Sequence, residues 1–213
     1  MKHLLLLLCL SACNLVFTQT ASDLFTKSET KITWLGIDFS HVKLIGSFAQ
    51  FAEAGQTGPN IIKDKYFDEW NDLILNEYSK YNIGEMLRKE DIALKTSAIS
   101  KINATTSTEE MESEEEPEYT MEDIEGFIKG YDLGKKEGIG LLLVAESLNK
   151  IREEGRYHFV AINLENNEVL LYDFFVTKPG GFGLRNYWAK TYYDVIVSIR
   201  DVKYKSWKKT YSN

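Results

Sequence analysis

Cysteine, histidine and proline are nearly absent from this 213-residue chain. Both cysteines, Cys9 and Cys13, fall within the first thirteen residues. The rest of the chain therefore has no intramolecular disulfide, no thiolate nucleophile and no cysteine metal site. Only three histidines occur, His3, His41 and His158, which is too few for a zinc centre built from imidazoles. Beyond Phe17 no apolar run approaches the roughly 20 residues that a membrane-spanning helix needs. The composition calls for no metal and no cofactor.

The chain does have an N-terminal segment patterned for export. Lys2 and His3 form a short basic start, Leu4 to Leu8 is an unbroken leucine run, and apolar character continues to Phe17 before the polar Thr18 to Ser22. That order is the one found in secretory signals. Two processing schemes fit it. Cleavage near residue 19 makes 1–19 the signal peptide of a secreted or periplasmic protein. Alternatively Leu10-Ser11-Ala12-Cys13 serves as a bacterial lipobox, so that 1–12 is removed and Cys13 becomes the lipidated anchor of a cell-envelope lipoprotein at the outer membrane.

The formal charge of −7 is local in origin. Glu109 to Glu125 holds ten acidic residues and no basic one; setting these and Lys2 aside leaves 24 basic against 22 acidic side chains. The acidic stretch is rich in Thr, Ser and Glu and repels itself, so a disordered loop is expected over 103–119. A loose Ca²⁺ contact is the functional alternative, but the run lacks the spaced oxygens and glycine of a calcium loop.

The body reads as one α/β domain over 31–205. A polar tether over 20–30 precedes it, and a basic tail over 206–213, with Trp207 and Tyr211 among lysines, follows it. That mixture suits an anionic surface, or simply lysines placed against a helix dipole. Lys31 to Phe39 is a dense apolar run, hence a buried strand. Phe67, Trp70, Ile74 and Tyr78 recur at helical spacing within 61–87. Asp91 to Ile99 alternates partly and reads as a strand. Thr120 and Asp123 form a capping box that opens a helix bearing Ile124, Phe127, Ile128 and Tyr131. Ile139 to Ala145 is a continuous apolar run and thus a central strand. Two further strands flank Glu165-Asn166-Asn167, where asparagine tolerates the backbone of a tight hairpin. Leu184 to Tyr204 closes the chain as a long helix. The expectation is a single mixed sheet of about five strands with amphipathic helices packed on it, a β-hairpin and a long C-terminal helix.

Several stretches carry a resemblance. They are Trp34-Leu35-Gly36-Ile37-Asp38-Phe39-Ser40, then Gly138-Ile139-Gly140-Leu141-Leu142-Leu143-Val144, then the turn Asn163-Leu164-Glu165-Asn166-Asn167-Glu168-Val169 before the terminal helix. The chain resembles the envelope α/β domain of the curli-secretion lipoprotein, the outer-membrane activators of peptidoglycan synthases and the N-terminal domain of the Tol-Pal translocation protein. Asn166-Asn167 takes the place of the glycine-bearing turn of those families. The resemblance covers most of 31–200 and implies a non-enzymatic envelope role in protein contacts.

Two constellations have chemistry to offer. Asp38, Ser40 and His41 lie at the end of the first strand, where open α/β sheets bind ligands. The plain reading is a capped strand exit with a surface histidine. Gly180, Gly181 and Gly183 with Arg185 form a glycine-rich entry to a helix that could hold an anion. The plain reading there is a turn that folds the last helix back onto the sheet. The leading expectation is a non-catalytic interaction or assembly domain that meets a protein or cell-wall partner. It uses no nucleic acid, and meets the membrane only through the lipid anchor. The alternatives are a secreted hydrolase using Asp38, His41 and the Gly180–Gly183 loop with Arg185, or a small-ligand module with a pocket walled by Trp70 or Trp188.

Overall fold

The computed structural model describes residues 19–48, 58–134 and 136–212. The segment read as an export signal, Cys13 included, lies outside them up to residue 18. Within them the chain is a mixed α/β protein whose seven strands form one sheet. The strands are β1 (Ile32–Asp38), β2 (Lys43–Ile45), β3 (Ile92–Leu94), β4 (Glu112–Ser113), β5 (Ile139–Asn149), β6 (Glu154–Asn163) and β7 (Glu168–Thr177). The helices are α1 (Asp23–Thr26), α2 (Pro59–Ile61), α3 (Phe67–Asn76), α4 (Ile83–Leu87), α5 (Ser97–Ala104), α6 (Met121–Lys129), α7 (Gly183–Ser198) and α8 (Tyr204–Tyr211). A π-helical turn, Ile62–Tyr66, leads into α3, and another, Ile199–Lys203, joins α7 to α8.

Strand β5 is the spine. Its eleven residues are all buried. One of its edges pairs antiparallel with β6, which pairs in turn with β7. Along its other edge run β1 and then β2, both parallel to it, flanked by β3 and β4 respectively. That edge therefore carries one strand broken at residues 39–42. The hairpin turn between β6 and β7 forms as expected. Asn167 takes φ +58, and the Asn163 side chain accepts the Glu165 N–H at 2.9 Å.

Two apolar layers cover the sheet. One contains Trp34, Ile37, Leu141, Leu143, Tyr157 and Phe159 under α3, α7 and α8. The other contains Leu35, Leu142, Val144, Val160 and Ile162 under α5 and α6. Beyond the short β3 the edge of β1 has no strand beside it among the described residues, and two buried asparagines complete it. Asn71 on α3 accepts the Ile37 N–H at 2.7 Å and donates to the Ile37 carbonyl at 3.0 Å. Asn103 on α5 accepts the Phe39 N–H at 2.7 Å. Such side-chain mimicry satisfies backbone groups that would otherwise be buried unpaired. Gly36 is required here, because at φ +113 a Cβ would meet Asn71 Oδ1 at 2.6 Å.

Four expectations are corrected. The tether over 20–30 is packed, not free. Leu24 and Phe25 are buried, and the Phe25 ring meets Tyr204 at 5.7 Å and Tyr211 at 6.2 Å. The basic tail is helix α8. Its Trp207 is buried against Phe159 at 5.2 Å, because the aromatics among the lysines share one face. The strand read over 91–99 ends at Leu94, and 97–104 is helical, with Ile99 and Asn103 at a four-residue step facing inward. The segment 103–119 is not a disordered loop. It finishes α5, adds β4 beside β2, and buries Met111 in the core. Its glutamates divide between solvent and buried partners, and this offsets the self-repulsion that its composition implies.

Candidate functional site: a buried polar centre at the break in the sheet

Where β1 stops and β2 has not begun, β5 and β6 lose register between Ala145 and Ser147, leaving Glu146 in a bulge. Bulges re-aim side chains and are frequent beside functional sites. Here the bulge turns a carboxylate into the sheet. Glu146 is 1% exposed. Its Oε2 accepts from His158 Nε2 at 3.0 Å and from the Tyr119 N–H at 3.0 Å, and its Oε1 accepts from Arg156 at 3.2 Å. A carboxylate only accepts, so His158 Nε2 carries the proton. In the neutral ring Nδ1 then accepts from the Tyr172 hydroxyl at 2.8 Å. Arg156 also lies 4.0 Å from the Glu116 carboxylate. Glu116 in turn accepts from the Ser147 hydroxyl and, at 2.7 Å, from Asn149. Two carboxylates thus enclose one guanidinium, which offsets half of their charge, and hydrogen bonds from His158, Tyr119, Ser147 and Asn149 hold the remainder.

Asp38 completes the centre from β1. It is paired with Val144 across β5, and Val144 is paired with His158 across β6, so the three lie in one row on one face. Asp38 is fully buried; it accepts from the Tyr131 hydroxyl and from the Ser40 N–H at 2.7 Å. Burial, reinforced by the neighbouring Asp38 carboxylate, holds the Tyr131 hydroxyl well above the usual phenol range. Tyr119 ties the halves together. Its N–H is on Glu146, and its hydroxyl donates to the His41 carbonyl at 2.9 Å. The His41 ring stacks on Phe127 at 3.6 Å. Burial lowers its pKa and Lys43 adds to the lowering, while Asp38 opposes both. No hydrogen bond joins His41 to Asp38 or Ser40, so the three are not arranged as a catalytic triad.

The second constellation sits elsewhere. Gly181 and Gly183 adopt φ +104 and +79 and let the chain turn into α7. Leu184 and Trp188 of that helix pack in the apolar layer opposite the one that holds Tyr131 and Val144. Arg185 is exposed, and its carbonyl accepts from Trp70 Nε1 at 3.0 Å. Asp38 and His41 therefore do not converge with Gly181, Gly183 and Arg185. Trp70 and Trp188 are both fully buried in the core.

Sequence reading overlooked Glu146, Arg156, His158 and Glu116. The signal for the first was present: Glu146 is the sole charge in the apolar run from Ile139 to Leu148. Among the described residues no group of three or more His, Cys, Asp or Glu is placed to hold a metal ion. The chain of hydrogen bonds through Tyr172, His158 and Glu146 fixes the geometry of the broken strand.

The chain is thus a seven-stranded mixed α/β protein with a buried carboxylate–imidazole–guanidinium centre. Comparison with known proteins found no matching family model, no similar curated protein and no similar solved structure.

Proposed function

We propose that this is an exported cell-envelope protein that works by binding another protein, without catalysing a reaction. One observation carries the reading: the groups with acid–base chemistry are spent on each other. Asp38, Glu146 and His158 are each no more than 1% exposed, and all have internal partners. A catalytic base must reach a proton on its substrate, and these groups are turned inward. The leader pattern supports export, and the resemblance to envelope assembly domains points the same way.

The test is to purify the processed chain with its partner from envelope fractions. A complex of fixed stoichiometry that survives both Asp38→Asn and His41→Ala is the expected result. Hydrolysis of ester, amide or glycoside reporters that both substitutions abolish would replace binding with the hydrolase reading.

A further inference from the structure

A wide concavity lies remote from the polar centre, at the other end of β1. It is a groove of about 1680 Å³ running along β3, between the segment joining α1 to β1 and the start of α8. Small-molecule sites enclose roughly 300–1,000 Å³, so this volume suits a length of chain better than a metabolite. Three features describe what would fill it.

The first is a free strand edge. Among the described residues, strand β3 pairs only with β1. The Lys95 N–H bonds to the Trp34 carbonyl at 2.9 Å. Successive peptide groups of a strand point to opposite sides, so the amides of Ile92 and Leu94 face away from β1. Ile92, Leu94 and Lys95 all line the groove.

The second is charge. Lysine and arginine outnumber aspartate and glutamate by seven to four along the lining. Lys31 is paired with Glu137 at 2.9 Å, and Lys27 with Asp23 at 2.8 Å. Arg88 lies over the Tyr204 ring at 4.4 Å. Lys89, Lys95 and Lys208 have no carboxylate within ion-pair distance among the described residues.

The third is crowding of that charge. Lys89 donates to the Lys27 carbonyl at 2.8 Å, which holds its ammonium in place. Burial lowers its pKa, and the nearby Lys208 ammonium lowers it further against the opposing Glu29. An anion entering between Lys89 and Lys208 offsets the repulsion between the two ammonium groups.

We infer that the groove binds an acidic peptide in extended conformation, which adds a strand to the outer edge of β3 while its carboxylates meet Lys89, Lys95 and Lys208. The free amides select a peptide over a polysaccharide or a lipid headgroup, since only a peptide offers donors and acceptors at strand spacing. The cations select an acidic one. With so short a strand the backbone contribution is small, so electrostatics dominate and binding weakens with salt. The inference rests on the binding role proposed above and names the surface and the partner class.

The test is anisotropy of a fluorescein-labelled peptide of about 12 residues with alternating Glu and Val, added to the full chain. Binding should weaken by at least about tenfold between about 50 and about 300 mM salt. Lys89→Glu and Lys208→Glu should each weaken it comparably, while Lys205→Glu leaves it unchanged and thermal melts confirm folding. The same peptide N-methylated at alternate residues should lose binding. Equal binding of the N-methylated peptide overturns the inference in favour of a general polyanion site. So does stronger competition by heparin or by phosphatidylglycerol vesicles than by unlabelled peptide. Self-association of the chain that Lys208→Glu abolishes overturns it in favour of a second copy. Finally, a photo-crosslinker at Ala93 should capture the natural partner. Capture from another surface but not from Ala93 refutes the groove while the binding role stands; no partner from any surface refutes both.

Discussion

At the scale of single residues, Glu146 matters most, because three donors depend on one carboxylate. Removing one member of a buried charge cluster leaves the others desolvated and unpaired, at a cost of about 3–5 kcal/mol. Glu146→Ala should lower the free energy of unfolding in urea by that amount, and Glu146→Gln by less, since its one amide oxygen still accepts at one of the two positions, from Arg156 or from His158 and the Tyr119 N–H. A loss below about 1 kcal/mol would mean that water replaces the carboxylate. His41 gives a second prediction, in pH. Its folded pKa lies below the ordinary 6.5 because burial against Phe127 and the nearby Lys43 outweigh Asp38. Below about pH 6.5 the unfolded chain therefore binds a proton that the folded chain refuses, and stability falls as pH drops toward the folded value. His41→Gln should flatten the urea midpoint just below pH 6.5; an unchanged slope would show that His41 titrates normally. The centre was only half legible in the sequence. Asp38 and His41 stood out because they close an apolar strand. Their partners, Tyr131 and Tyr119, lie 93 and 78 residues away along the chain, and local pattern carries no trace of such pairings.

At the scale of elements, hydrophobic period foretold what it governs. Strands β1 and β5 and the β6–β7 hairpin announced themselves because both faces of β5 are apolar and the turn is built of asparagine. The helix α6 did so through Thr120, which accepts from Asp123 N while its own N–H goes to the Asp123 carboxylate. Composition failed where a few contacts override an average. The segment 109–118 reads as solvated acid, yet Met111 is 1% exposed, Leu44 N–H bonds to its carbonyl at 2.7 Å, and Glu116 holds Ser147 and Asn149. Replacing 109–118 with a Gly-Ser linker of equal length removes a buried methionine, worth about 2–5 kcal/mol, together with the partner of two buried polar groups. The melting temperature should fall by several degrees in calorimetry. An unchanged value would return the segment to the disordered state its composition suggests. Likewise Trp207 sits among lysines, and only its spacing from Tyr204 and Tyr211 marks the buried face of α8.

At the scale of the whole molecule, the sheet has open edges of very different length. The outermost strands β3 and β4 have only three and two residues, but β7 has ten and, among the described residues, pairs only with β6. A long apolar edge invites a second chain, and Phe174 and Val176 are 37% and 45% exposed there. Two devices blunt it. The register between β6 and β7 shifts beside Leu170, which bends the strand near the hairpin. Farther along, Asp173 Oδ1 accepts the N–H of Phe174 at 2.9 Å, so that amide is not offered to an incoming strand. The other oxygen of Asp173 accepts from Lys203 at 2.8 Å and Trp207 at 3.1 Å, which fixes the carboxylate from the C-terminal helix. One side chain thus joins edge protection to the packing of α8. Asp173→Ala frees the Phe174 amide while leaving Tyr172, Phe174 and Phe175 in place. Light scattering should show a larger mass than wild type at equal concentration, with the far-ultraviolet dichroism retained. Asp173→Asn, whose amide oxygen still accepts from Phe174, should keep the wild-type mass. If Asp173→Ala matches wild type, the carboxylate does not guard the edge, and the bulge near Leu170 alone accounts for the behaviour of β7.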